Sequence, residues 1–86
     1  MPTTVEIGEK YYMVRTREDL TIGEAMRLHT LATQVQEADE NGDPAKVLDL
    51  LVEIANHVLV DEMDRDEIER MTMPQLNDLI GAHAND

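Results

Sequence analysis

The chain has 86 residues, of which 19 are acidic and 7 basic, giving a formal net charge of −12, and it has no cysteine. A chain of this length makes one domain with a marginal core, since it buries only about 60 to 65% of the surface its unfolded form exposes. The charge argues against phosphate backbones and acidic membranes as partners, and the lack of cysteine removes disulfides, thiolate metal sites and thiol catalysis.

No apolar run approaches the ~20 residues of a membrane span, and Met1-Pro2-Thr3-Thr4 lacks the basic and apolar regions of a signal peptide. The expectation is a soluble, intracellular protein in one domain over residues 1–86. Charge is unevenly spread: residues 37–86 hold fourteen of the acids and three of the bases. Such a surface serves either solvation or recognition of a basic partner, and in the extreme case imitation of DNA.

Residues 4–16 alternate apolar and polar side chains around Gly8-Glu9, and glycine in the first of two turn positions predicts a type II′ hairpin. In that register Val5, Ile7, Tyr12 and Val14 share one face, while Tyr11 and Met13 point the other way. An isolated hairpin is barely stable in water, so this one has to pack on helices or extend another sheet.

The helical part spans 21–86. Thr21-Ile-Gly-Glu24 has the capping-box spacing, in which hydroxyl and carboxylate satisfy each other's free amides. It opens a helix whose apolar arc includes Ile22, Ala25, Met26, Leu28, Leu31, Ala32, Val35 and Ala38. That arc is wider than one neighbour needs. Asn41-Gly42 turns the chain, and Asp43 with Pro44 starts the central helix, the aspartate capping free amides and the proline standing where no amide is required.

The central helix, Pro44 to Leu59, carries Val47, Leu48, Leu51, Ile54, Ala55, Val58 and Leu59 at three- and four-residue spacing. With Leu50 and Val52 these sweep roughly 200° of arc at about 100° per residue. Beyond it, Asp64 and Glu67 are placed to cap a short helix to about Met71. Thr72-Met-Pro-Gln75 repeats the capping-box spacing and starts a last helix, expected to fray after Gly81. The predicted fold is mainly α: an N-terminal β-hairpin followed by a small bundle of two longer and two short helices.

Sites of chemistry are few. Asp39 to Asp43 imitates the start of a calcium loop but meets Pro44 and Leu50 where the loop needs its turn and its bidentate carboxylate, so it reads as a turn. Glu53, His57 and Asp61 are spaced four apart and would form an ion pair at the helix edge. A helical zinc motif would need a second histidine. The chain has no serine and no glycine-rich phosphate loop, so nucleophilic and nucleotide chemistry have little to stand on. The expectation is a protein that is no enzyme and takes no cofactor, metal or small-molecule substrate. The apolar surplus points instead to self-assembly into a homo-oligomer and to protein binding.

The hairpin Val5-Glu-Ile-Gly-Glu-Lys-Tyr-Tyr-Met-Val-Arg15, then Leu20-Thr-Ile-Gly-Glu-Ala-Met-Arg-Leu28, then a leucine-rich helix after Gly42-Asp-Pro44, resembles the tail assembly chaperones of long-tailed bacteriophages. The likeness spans most of the chain but contains no chemical motif. It implies a small protein of the infected host's cytoplasm that binds the helical tape-measure protein and keeps it soluble until the tail tube polymerises. It also implies self-assembly and, in some members, a longer frameshifted form. The residues expected to make adaptable contacts with an apolar or amphipathic partner helix are Met26, Leu31, Val35, Met71 and Met73. An alternative of another class is an acidic decoy that occupies the groove of a nucleic-acid-binding protein; a third is an interaction module with some other partner.

Overall fold

A computed structural model describes residues 1–84. It is mainly helical behind a two-stranded antiparallel hairpin. Strands β1 (Thr3–Ile7) and β2 (Lys10–Val14) are followed by a 3-10 turn (Arg17–Asp19) and by α1 (Ile22–Glu40), α2 (Pro44–Val58), α3 (Arg65–Glu69) and α4 (Met73–Ala84).

The hairpin has the expected register, Val5 opposite Tyr12 and Ile7 opposite Lys10. Gly8 has φ +64°, and among the described residues none other than glycine has positive φ. Glu9 is thereby set apart from the type I′ turn, which needs positive φ at both positions, and matches type II′. Ile7 and Val14 are buried and Tyr11 and Met13 exposed, as the alternation requires. The hairpin is also not left alone. As the chain leaves α2 it bridges β2, Leu59 opposite Val14, with Arg15 N donating to Val58 O at 2.6 Å and Val60 N to Met13 O at 3.0 Å. This contact covers the C-terminal end of the outer edge of β2, where backbone groups would otherwise be unpaired, while α4 packs on β1.

Both capping boxes form. Glu24 N donates to Thr21 Oγ1 at 3.1 Å and Thr21 N to Glu24 Oε1 at 3.1 Å; Gln75 N donates to Thr72 Oγ1 at 3.2 Å and Thr72 N to Gln75 Oε1 at 3.0 Å. Asp43 caps α2 through Lys46 N at 3.2 Å. At α3 the expectation fails: Asp64 is the N-cap residue but makes no side-chain cap bond. Glu67 instead accepts from Lys10 Nζ at 3.0 Å and Tyr12 Oη at 3.2 Å, because a carboxylate facing the hairpin gains an ammonium and a phenol that its own helix cannot offer. The last helix also departs from its predicted length. It runs through Gly81 to Ala84, secured by Arg17 Nη2 donating to Ala84 O at 3.0 Å and by His83 Nδ1 against Arg15 O.

One apolar cluster joins the hairpin to the helices: Ile7 and Val14 from the strands, Leu51, Ala55 and Val58 from α2, Ile68 from α3, and Leu76 and Leu79 from α4. Leu59 and Met63, on the segment after α2, complete it. The helix α2 sits at the centre, packed on α1 along one side and on α4 along another. No helix among the described residues is long and apolar enough to cross a membrane.

Candidate docking surface

Helix α1 has 19 residues, yet α2 is its principal neighbour. A helix held mainly on one side can bury only part of a wide apolar arc. Leu31 and Ala38 are buried, whereas Ile22 is 82% and Met26 67% exposed, and Ala25 and Ala32 lie on the surface with them. The outer face is less polar than its threonines suggest. Thr30 Oγ1 donates to Met26 O and Thr33 Oγ1 to His29 O, each at 3.1 Å, so both hydroxyls are spent on the helix's own carbonyls.

Beside this stripe, α1, α2 and α4 enclose an open groove of about 700 Å³. Ile54 and Val58, both buried, contribute from α2; Leu28, Ala25 and Ala32 from α1; Ile80 from α4; and Leu20 from the preceding loop. Arg17, His29 and His83 supply its polar groups. The volume falls within the ~300–1,000 Å³ of sites that take compact ligands or the side chains of a docked segment.

The five residues singled out from periodicity do not form one surface. Met26 and Met73 are exposed, at 67% and 54%. Val35 and Met71 are half-buried and pack against the core. Leu31 is fully buried and offers nothing to a partner. The reason is angular: Met26 and Leu31 are five residues apart, hence about 140° apart around the helix, so one faces out when the other faces in. Ile22, 82% exposed, and the groove residues Ala25, Leu28 and Ala32 belong to the apolar arc predicted for this helix but are not among the five expected contacts. Their three- and four-residue spacing was the available signal; what was missing was the position of α4 across the groove.

The other positions resolve simply. Glu53 does not join His57 but accepts from Arg27 Nη2 on α1 at 3.0 Å. Asp61 lies beyond the end of α2, so it shares no helix face with either. Asp39 and Glu40 end α1, Asn41-Gly42 make the turn with Gly42 at φ +68°, and Asp43 caps α2. Among the described residues no group of three or more histidine or carboxylate side chains could hold a metal ion. Comparison with protein-family models, with curated proteins and with solved structures finds no match. The reading of function therefore rests on the surface itself and on the sequence resemblance.

A second cluster organises the surface rather than serving as a site. Arg15, half-buried, donates from Nη2 to Asp19 O at 3.1 Å and from Nη1 to His57 O at 3.4 Å, and its Nη1 pairs with Glu24 Oε2 at 2.8 Å. One guanidinium thus ties the 3-10 turn, the start of α1 and the end of α2 together, and its carbonyl meets His83 of α4. Arginine suits this because its planar fork satisfies several acceptors at once. The Arg15 guanidinium, with the Thr21 amide behind it, holds the Glu24 carboxyl down at about 2.

Proposed function

We propose that this protein is a tail assembly chaperone that docks an apolar or amphipathic helical segment of a tape-measure protein and keeps it soluble. The observation that carries the reading is the unpartnered stripe of α1: Ile22 and Met26 stand exposed beside an apolar groove although the core already has its own contiguous cluster. Large apolar side chains left together in water mark an interaction surface, and helix-in-groove docking uses such spacing. The net charge of −12 would keep the complex in solution. Self-association through the same stripe belongs to this reading.

Co-expression with a candidate tape-measure protein tests it. Soluble yield of that protein should rise with the wild-type chain and fall back with Ile22→Ser combined with Met26→Ser. The exposed carboxylates Asp61, Glu62, Asp64 and Asp66 favour the second reading, an acidic decoy. It is distinguished by ionic strength, since added salt dissociates a charge-driven complex and leaves apolar docking largely intact.

A further inference from the structure

Arg17, the one formally charged side chain among the described residues lining the groove, is opposite in sign to the molecule as a whole. Acids outnumber bases 19 to 7 along the chain, yet the side chains that line the groove between α1, α2 and α4 include, among the described residues, Arg17, His29 and His83 and no carboxylate. Every other hollow described on the surface contains at least one: Asp49, Glu53 and Glu62 in one, Glu9 and Glu67 in another, Asp61 with Glu62 and Glu67 in a third, Glu37 and Asp43 in a fourth. The guanidinium of Arg17 is positioned by its bond to Ala84 O, and His83 by its contact with Arg15 O. Between Ala25 and Gln36 α1 has no acid; of its two basic side chains there, Arg27 is paired with Glu53 of α2 and His29 lines the groove.

Size sets the form of the occupant. Two turns of α-helix, about 11 Å long and 10–12 Å across, fill on the order of 1,000 Å³. A groove of about 700 Å³ takes the inner face of such a segment and leaves its outer face in water. We infer that the groove accepts an apolar helical ridge flanked by carboxylates, so that the preferred partner is an acidic amphipathic helix despite the acidity of the chain as a whole. This rests on the helix-docking reading and adds the partner's charge, which runs against what net charge alone would select.

The test uses the full chain and two fluorescently labelled synthetic helices with the same leucine and alanine face, one flanked by glutamate and one by lysine. Anisotropy is measured at physiological ionic strength, where attraction beyond about 8 Å is screened. The glutamate peptide should bind at least about fivefold tighter than the lysine peptide. His29→Glu should shrink or reverse that ratio, and Ala32→Trp, which fills the groove from an exposed helix position, should abolish binding. Ala25→Trp serves if circular dichroism shows Ala32→Trp misfolded. Equal or tighter binding of the lysine peptide, with Ala32→Trp still blocking, overturns the charge assignment and leaves helix docking standing. Binding of neither peptide overturns both, as does dodecanoate binding alone, which would make the groove a site for a small amphiphile. Peptide binding that ignores both tryptophan variants moves docking elsewhere and overturns the assignment, and so does self-association that Ala32→Trp abolishes, which would put a second copy in the groove.

Discussion

Arg15 Nη1 lies 2.8 Å from Glu24 Oε2, nine positions along the chain and across the start of α1. Glu24 thereby does two things at once, closing its own helix's capping box and anchoring the arginine that reaches the end of α2. A carboxyl held at about 2 against an ordinary 4.5 contributes stability that is complete above the ordinary value and is lost as pH falls through the folded one. Asp19, lowered chiefly by its bond from the Thr16 amide, and Glu67, lowered chiefly by Lys10, act in the same direction. Stability should therefore decline between about pH 4.5 and pH 2. In acid titrations followed by circular dichroism, Glu24→Gln should be less stable than the wild type at neutral pH and lose less on acidification; parallel curves would show that the pair contributes nothing.

The core prediction concerns Leu51 and Ile54, 9% and 7% exposed on α2. Replacing either by alanine deletes buried methyl groups and leaves a cavity, at a cost of about 2 to 5 kcal/mol. Urea melts should show that loss, and values below ~0.5 kcal/mol at both positions would contradict the central place of α2.

Gly8 and Gly42 have φ +64° and +68°, and a Cβ at either meets no heavy atom closer than 4.0 Å. Substitution by alanine is thus free of clash and costs only the backbone conformation, about 1 to 2 kcal/mol. Gly81, with negative φ and nothing within 4 Å, should instead gain up to about 1 kcal/mol from alanine, since it lies inside α4. Thermal melts of the three variants separate these effects by sign.

Exposed and buried apolar residues of α1 should part company under mutation. Ile22→Ser and Met26→Ser should change stability by no more than about 0.5 kcal/mol, being surface positions, while weakening any self-association seen by sedimentation. Leu31→Asp buries an uncompensated charge at a fully enclosed position and should unfold the protein. A folded Leu31→Asp variant would contradict the packing of α1 on α2.

Local chemistry is legible in the sequence alone. Glycine at Gly8, the threonine and its acid or amide partner at Thr21 with Glu24 and Thr72 with Gln75, and Asp43 before Pro44 each act within four residues, so the chain carries their geometry in its own order. Period-two and period-three-to-four patterning likewise placed Val14 inward, Tyr11 outward and Leu51 in the core. Contacts between elements were hidden. The pairing of Leu59 with Val14, the hold of Glu67 on Lys10 and Tyr12, and the ties that extend α4 past Gly81 join residues more than forty positions apart, and no local preference ranks such partners. The same holds for the candidate site. Periodicity marked α1 as too apolar for one neighbour, but an arc has two sides, and only the placement of α2 against Leu31 decided that Ile22 and Met26 would be left facing water.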